Sequence, residues 1–373
     1  MQGVSLWESL RPQLAHLCEV VDLDPVTPVD LLRDLLGPHG SRLLSEPPVW
    51  PSNVADDHTP VEFSLAYSKG EPPALRILAE ALGSPPRVQT NMSAAYGFID
   101  AQTDRLGLST ARLDSVRDLF TAEHPHGTFA LWCSLVFRSG RAPEVKVYFN
   151  PEVKGVERAR DLVEEALHRL RMGTSYRTML KQAVRPGELG HGDRLAFFAL
   201  DLHDGPQARV KLYLTHHHAE VRDVIRAASI VDGVDPTELA EFCVAAAGTR
   251  RFDGRPLVGS YTLTEGADTP VGYSIYVPIR GYVNDDREAR VRVVALLTRY
   301  GFDSALFDEA VRAVTRRPLR DGVGMIAHVS LRLGPPRPGV TVYLSAEAYQ
   351  VNPPRSLQIP AARPAARVAA ATC

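Results

Sequence analysis

The feature that most restricts how this chain can fold is a repeat. Five times between residues 61 and 345, two segments of alternating apolar and polar residues flank a short turn, the mark of paired half-buried strands. The pairs are 61–67 with 74–79, 128–138 with 144–150, 195–202 with 208–215, 257–264 with 271–278, and 326–333 with 340–345. Turn residues join several of them: Ser68-Lys69-Gly70, Ser139-Gly140 and His203-Asp204-Gly205. Between pairs the apolar spacing becomes helical, at 94–120 in two pieces, 156–170, 219–230 with 237–247, and 287–300 with 304–314. A further helix is expected over 4–18, where Leu6, Leu10, Leu14 and Leu17 share one face, and a short apolar segment follows at 31–36. The second strands also align by content. Lys146-Val-Tyr148, Lys211-Leu-Tyr213, Ser274-Ile-Tyr276 and Thr341-Val-Tyr343 place their tyrosines 65, 63 and 67 residues apart, the period of a repeated supersecondary unit.

Ten strands made as antiparallel hairpins must cover both their edges and their apolar faces. Closing the sheet on itself removes the edges, and helices packed outside cover the apolar face. The expected class is therefore α+β: a closed ten-stranded antiparallel barrel of five ββαα units ringed by helices. Single parallel strands alternating with single helices, the pattern of the common α/β barrel, do not occur. Neither a GxGxxG nor a GxxxxGK sequence is present, so a dinucleotide or P-loop site has no support.

Such a barrel accounts for the length. The 373 residues, 45% hydrophobic and 23% charged, suit one large folded domain over residues 1–352 with an N-terminal helical segment. The residues after it, 353–373, offer little to pack and are expected to be a disordered tail. A formal charge of −2 gives no global attraction to nucleic acid or an anionic membrane, so neither is expected as a partner. No apolar run reaches the length of a membrane span, and the first residues do not resemble a secretion signal. Cys18, Cys133, Cys243 and Cys373 are far apart, which fits core thiols and a tail thiol in a reducing, cytoplasmic setting. The run His216-His217-His218 cannot converge on one ion from a strand end; Asp285-Asp286 invites comparison with aspartate-rich magnesium motifs but has no second cluster, and Asn284 with Asp285 is expected to cap a helix near Arg287, so no metal site is expected.

Residues i and i+2 of a strand share a face. Lys146 therefore lies with Tyr148, and Arg209 with Lys211 and Tyr213, while Val147, Phe149, Val210, Leu212 and Leu214 face the other way. If helices cover the apolar face, the charged face looks into the barrel. Only five of the 42 basic residues are lysine, and two of the five take this patterned position. Cations confined together repel one another and lose hydration unless an anion joins them. A diphosphate suits Arg forks, Lys point charges and tyrosine hydroxyls, and Arg76 in the first unit adds another fork. The faces of Tyr148, Tyr213, Tyr276 and Tyr343 would shelter a carbocation, at roughly 0.5 to 2 kcal/mol per ring. Glu62, alternating inward with Ser64 and Ala66, would accept a hydrogen bond from the N–H or O–H of an aromatic nucleophile and enrich its ring in the transition state.

Thr59-Pro-Val-Glu62-Phe-Ser64, Arg76, Lys146-Val-Tyr148, Arg209-Val-Lys211-Leu-Tyr213, Tyr276-Val-Pro278-Ile-Arg280-Gly-Tyr282-Val-Asn-Asp285 and Val342-Tyr343-Leu-Ser345 together resemble the aromatic prenyltransferases of the dimethylallyltryptophan synthase family in its shorter bacterial form. The resemblance spans about residues 50 to 350. It implies the barrel of five ββαα units, the ABBA or PT barrel, and transfer of a dimethylallyl group from dimethylallyl diphosphate to the indole of L-tryptophan in alkaloid or peptide secondary metabolism. It implies small-molecule partners, a monomer or weak dimer, and no obligatory cofactor: the diphosphate is a co-substrate and Mg2+ at most stimulatory. By that resemblance Glu62 holds the indole N–H. Arg76, Lys146, Arg209 and Lys211 grip the diphosphate, with the four tyrosines as shield and additional donors, and Asn53 and Val54 meet the amino-acid end of the acceptor. Ser274 stands where fungal members often carry glutamine, and His328 and Arg332 stand where a shielding tyrosine is expected; all three are expected to line the pocket. Fungal enzymes that attack indole C4 carry a lysine in the strand before the first KxY, whereas this chain reads Trp132-Cys133-Ser134. That leaves C5, C6, C7 and N1 open, with normal or reverse attachment, and leaves the base unassigned. Two other readings stand: prenylation of a tryptophan-derived cyclic peptide, an indolactam or a phenol, and a non-catalytic barrel that binds an anionic metabolite.

Overall fold

The computed structural model describes residues 3–204, 208–333 and 339–355. Its twelve strands are β1 Val61–Ser68, β2 Glu71–Ala79, β3 Leu131–Phe137, β4 Glu144–Phe149, β5 Asp193–Asp201, β6 Val210–His216, β7 Ala219–Glu220, β8 Arg251–Phe252, β9 Leu257–Leu263, β10 Gly272–Val277, β11 Ile326–Arg332 and β12 Gly339–Ser345. Ten of them close a barrel in the order β1-β12-β11-β10-β9-β6-β5-β4-β3-β2, every neighbour antiparallel. This is the closed ten-stranded barrel expected from the hairpin repeat, and the ABBA architecture that the resemblance implies.

Closure works because one face of every strand is apolar. Val61, Phe63, Leu65, Ile77, Val147, Phe149, Val210, Leu212, Ile275, Val329, Val340 and Val342 are wholly buried, all turned outward against helices. Each such side chain contributes about 1.5–3 kcal/mol on burial. Phe120, at the end of the helix Arg117–Phe120, stacks on outward Phe149 at 4.3 Å between centroids. Tyr261 of β9 donates its hydroxyl to the Ala227 carbonyl of the helix Val221–Ala228 at 3.0 Å.

The helix Leu6–Val20 opens with a capping box: Glu8 N–H donates to Ser5 Oγ at 3.2 Å, and Ser5 N–H to the Glu8 carboxylate at 2.8 Å. Its buried stripe of Leu6, Leu10, Leu14 and Leu17 lies as the leucine spacing requires. Several boundaries differ from the sequence expectation. The second helix begins at Val26, and 94–120 is three helices, Val88–Leu106, Ala111–Asp114 and Arg117–Phe120. Ala219 and Glu220 pair with Phe252 and Arg251 as the ribbon β7-β8 and are not helical. The helix Gly173–Ala183 was not expected at all; it buries only Ser175, Tyr176, Met179 and Ala183, too sparse a stripe to announce itself.

Several polar groups inside the fold are paired. His216 is fully buried with Nδ1 2.8 Å from Asp193, while His218 Nδ1 lies near Asp253 at 3.4 Å and His217 offers its carbonyl to Arg185, so the three histidines diverge. Cys18, Cys133 and Cys243 are buried free thiols, and Cys373 lies outside the described residues, as does most of the expected tail. Among the described residues no helix is long and apolar enough to cross a membrane.

Asp285 caps the helix Asp286–Arg299 by accepting from Glu288 N–H at 2.8 Å. Its neighbour does something else: fully buried Asp286 accepts from the backbone N–H groups of Gly324, Met325 and Ile326 at 3.1, 3.2 and 3.0 Å and pairs with Arg317. It thereby ties the entry of β11 to the helix layer. Asp285→Ala should cost about 1 kcal/mol, the value of a cap. Asp286→Ala, which strands three buried amides and leaves Arg317 with Glu347 alone, should cost at least about 3 kcal/mol. Urea denaturation of the two variants checks the difference; equal losses would refute this view of Asp286.

Candidate active site

The register of the barrel fixes which side chains meet inside it. Going round, Glu62 lies opposite Leu78 and Leu78 opposite Ser134; Ser134 opposite Lys146 and Lys146 opposite Asp201. On the other side Lys211 faces Thr262, Thr262 faces Gly272, Ser274 faces Arg332, and Tyr343 faces Ser64. Every one of these positions has inward phase, and all but Asp201, which lies behind Lys146 and Arg209, border one cavity of about 560 Å³, a volume within the range of small-molecule sites. Asn53, Val54, Glu62, Arg76, Lys146, Tyr148, Arg209, Lys211, Tyr213, Ser274, Tyr276, His328, Arg332 and Tyr343 all line it. Thus every residue expected at the site reaches the same chamber.

One part of the chamber is cationic. Lys146 and Arg209 share the carboxylate of Asp201, Lys146 Nζ at 2.6 Å and Arg209 Nε at 3.1 Å. Burial pushes the ammonium of Lys211 well below the usual lysine range, and Arg209, Lys146 and Arg76 push it further; Lys146 is lowered for the same reasons against the pull of Asp201. Arg332 is lowered to about 10, by burial first and then by Arg76 and Arg209, and its Nη2 donates to Ser68 Oγ at 3.0 Å. Nε of Arg76 is buried without a hydrogen-bond partner. A positive cluster only partly offset by Asp201, and by Glu144 3.8 Å from Lys146, has the chemistry to receive a multiply charged anion.

Beside it runs a belt of rings. Tyr148, Tyr213, Tyr276 and Tyr343 follow one another with centroids 5.8, 5.6 and 5.9 Å apart, and His328 continues the belt 5.9 Å beyond Tyr343. Burial holds the Tyr148 hydroxyl up at about 12, and those of Tyr213 and Tyr343 well above their ordinary value, so all three stay neutral donors. At the other end of the belt Phe197 stands edge-on to Tyr213 and tilts against Trp132 at 5.3 Å, which stacks on Phe129 at 4.2 Å.

Glu62 lies beside the Tyr343–His328 end of the belt, on the strand paired with that of Tyr343. Burial raises its carboxyl to about 8, with Arg280 pulling down and Asp56 pushing up. His328 Nδ1 is 3.9 Å away. Burial and the charges of Arg280 and Arg255 keep His328 neutral, and Arg280 Nη1 reaches its ring at 2.9 Å. Arg280 is anchored in turn by Asp56, which it shares with Arg255, at 2.9 and 2.6 Å.

Four residues that shape the chamber were not singled out as site residues from the sequence. Trp132 and Phe197 form its aromatic flank, Arg280 braces His328, and Asp201 neutralises part of the cation cluster. Alternation along β5 does place Phe197 and Asp201 on one face. What it cannot give is the register that sets Asp201 beside Lys146. Among the described residues no group of three or more His, Cys, Asp or Glu is arranged to hold a metal ion.

Known proteins share this chain's sequence and fold. The sequence model of tryptophan dimethylallyltransferase matches residues 30–310. The chain is similar to a 6-dimethylallyltryptophan synthase from Micromonospora olivasterospora, solved in complex with DMASPP and Trp, at 72% identity and a TM-score of 0.92 over 94% of this chain and 100% of that one. A second structure titled 6-dimethylallyl tryptophan synthase is 71% identical with a TM-score of 0.92, covering 94% of this chain and 99% of that chain. The 5-dimethylallyltryptophan synthase of Streptomyces coelicolor matches at 35% identity and a TM-score of 0.86, covering 94% and 100%. With the barrel, the chamber and the sequence in agreement, the chain belongs to the tryptophan dimethylallyltransferase family of aromatic prenyltransferases.

Proposed function

We propose that this protein transfers the dimethylallyl group of dimethylallyl diphosphate to C6 of the indole of L-tryptophan and releases diphosphate. The observation that carries the reading is the single chamber in which a cation cluster, a tyrosine belt and a buried carboxylate face one another. Identity of 71–72% to 6-dimethylallyltryptophan synthases, against 35% to a 5-dimethylallyltryptophan synthase, favours C6.

Arg76, Lys146, Arg209 and Lys211 take the diphosphate, with Arg332 as a fifth cation bordering the same space. As the allylic C–O bond breaks, the electron pair leaves with the diphosphate, whose growing charge these groups neutralise. The allylic cation lies against Tyr148, Tyr213, Tyr276 and Tyr343, whose electron-rich faces stabilise it and exclude water. Glu62 accepts the indole N–H, which raises ring electron density as the ring forms the new C–C bond; loss of the ring proton then restores aromaticity. Asn53 and Val54 border the same chamber, Val54 packed with Phe129 and Trp132, and meet the amino-acid end of the acceptor. Ser274 contributes a hydroxyl near Arg332, its partner across the β10-β11 pair.

Three outcomes follow. Incubation of the protein with L-tryptophan and dimethylallyl diphosphate should yield 6-dimethylallyltryptophan and diphosphate, identified by mass and NMR. A product substituted at another ring position contradicts the C6 assignment, and no product with tryptophan contradicts the reading.

Glu62 is raised to about 8, so its carboxylate fraction grows as pH rises through that value. The kcat/KM for tryptophan should therefore climb over the same range, and Glu62→Gln should abolish that limb and lower kcat by about 10²–10³. A wild-type pH profile retained by the variant removes Glu62 from the mechanism.

Because Lys211 is held well below its ordinary value in the free protein, an arriving anion should raise it and draw in a proton. Diphosphate affinity should thus weaken with rising pH. Calorimetry in alkaline buffers of different ionisation enthalpy should show proton uptake on binding, and identical heats in all buffers would contradict this.

A further inference from the structure

The cradle that receives an anion already contains one. Asp201, at the end of β5, is buried, and its carboxylate accepts from Lys146 Nζ at 2.6 Å and Arg209 Nε at 3.1 Å. His203 Nε2 lies 3.8 Å away, and the charges of Lys211 and Arg112 also act on it. Two of the four groups assigned to the diphosphate are therefore already engaged before any ligand arrives.

This placement has two consequences of opposite sign. Without a ligand, Asp201 offsets the mutual repulsion of the cations and keeps the cluster assembled. With a diphosphate present, the same ammonium serves both anions. Two oxygens bound to one Lys146 nitrogen, each at about 2.8 Å, lie only about 4–5 Å apart, and like charges at that separation repel appreciably in a partly screened interior. The repulsion is greatest for free diphosphate, which carries more negative charge than its ester. Asp201 therefore opposes the product more than the donor.

We infer that Asp201 is a positioning residue that competes with bound diphosphate for Lys146 and Arg209 and so speeds release of the product. The inference rests on the donor-site reading given above. It makes the strength of the clamp a compromise: four cations with no carboxylate among them would hold the leaving group through the next turnover.

The test is inhibition by inorganic diphosphate against dimethylallyl diphosphate, with calorimetric titration of inorganic diphosphate, for wild type and Asp201→Asn at one near-neutral pH. Asn keeps the shape and one acceptor oxygen and removes the charge. The expected result is diphosphate binding at least about fivefold tighter in the variant, the low end for losing a like charge a few ångström away, with slower initial-rate turnover that added pyrophosphatase, which consumes only released diphosphate, does not restore. A merely structural role would weaken binding, so tightening distinguishes the two. Unchanged or weaker diphosphate binding in Asp201→Asn, with wild type binding normally, overturns the inference and leaves the donor site standing. Absence of diphosphate binding to wild type overturns the donor-site reading and the inference with it. Should Asp201→Asn fold poorly, Asp201→Ser supports or overturns it on the same criterion.

Discussion

Repulsion among buried cations is the physical constraint from which the chemistry of this protein follows. Arg76, Lys146, Arg209, Lys211 and Arg332 border one chamber, with Asp201 as a partial counter-ion. Removing such charges from water costs several kcal/mol each unless they are paired. A chain that tolerates this cost in its interior holds a site primed for an anion, and burial shows as lysine ammoniums held below their ordinary range. The same low-dielectric setting strengthens every interaction made with a leaving diphosphate. Unsatisfied charge in the resting protein and catalysis in the loaded one are two sides of one arrangement.

That arrangement depends on closure of the sheet. A strand of alternating residues presents one face to helices and one to the interior, and ten strands in fixed antiparallel register turn ten such faces toward one axis. A one-residue slip in β6 would send Lys211 and Tyr213 into the helix layer and bring Leu212 into the chamber. Register is therefore as much a catalytic determinant as any side chain. It is held from outside by outward residues such as Phe149 and Phe198 against Phe120, and at the entry of β11 by Asp286. The aromatic belt likewise exists only through closure, since Tyr276 and Tyr343 are 67 residues apart in sequence and 5.9 Å apart in space.

Much of this was legible in the sequence because strand periodicity is a local property. The hairpin repeat and the KxY spacing place Lys146, Tyr148, Lys211 and Tyr213 on one face, and Glu62 falls inward by the same rule. What was hidden depends on contacts between distant segments. Asp201 has the right phase, yet its place beside Lys146 follows from β4-β5 register alone. Arg280 follows β10 in the 3-10 turn Ile279–Gly281, too short to show a periodicity, and its role comes from Asp56 and His328, both distant in sequence. The helix Gly173–Ala183 escaped notice because its buried stripe is thin, and β7 because two residues are too few to show alternation. Asp285 caps its helix as its place before Arg287 suggests, whereas the role of Asp286 as a buried tether depends on distant backbone of β11 and could not be read locally.

The central claim is that the cation cluster and Glu62 act on the two ends of one reaction in one chamber. A crystal structure with a non-hydrolysable thio analogue of dimethylallyl diphosphate and L-tryptophan tests it most directly. The account predicts phosphate oxygens within hydrogen-bond distance of Arg76, Lys146 and Lys211, the prenyl chain against the tyrosine belt, and the indole N–H on Glu62. Diphosphate bound away from those cations, or an indole whose nitrogen points away from Glu62, would contradict it.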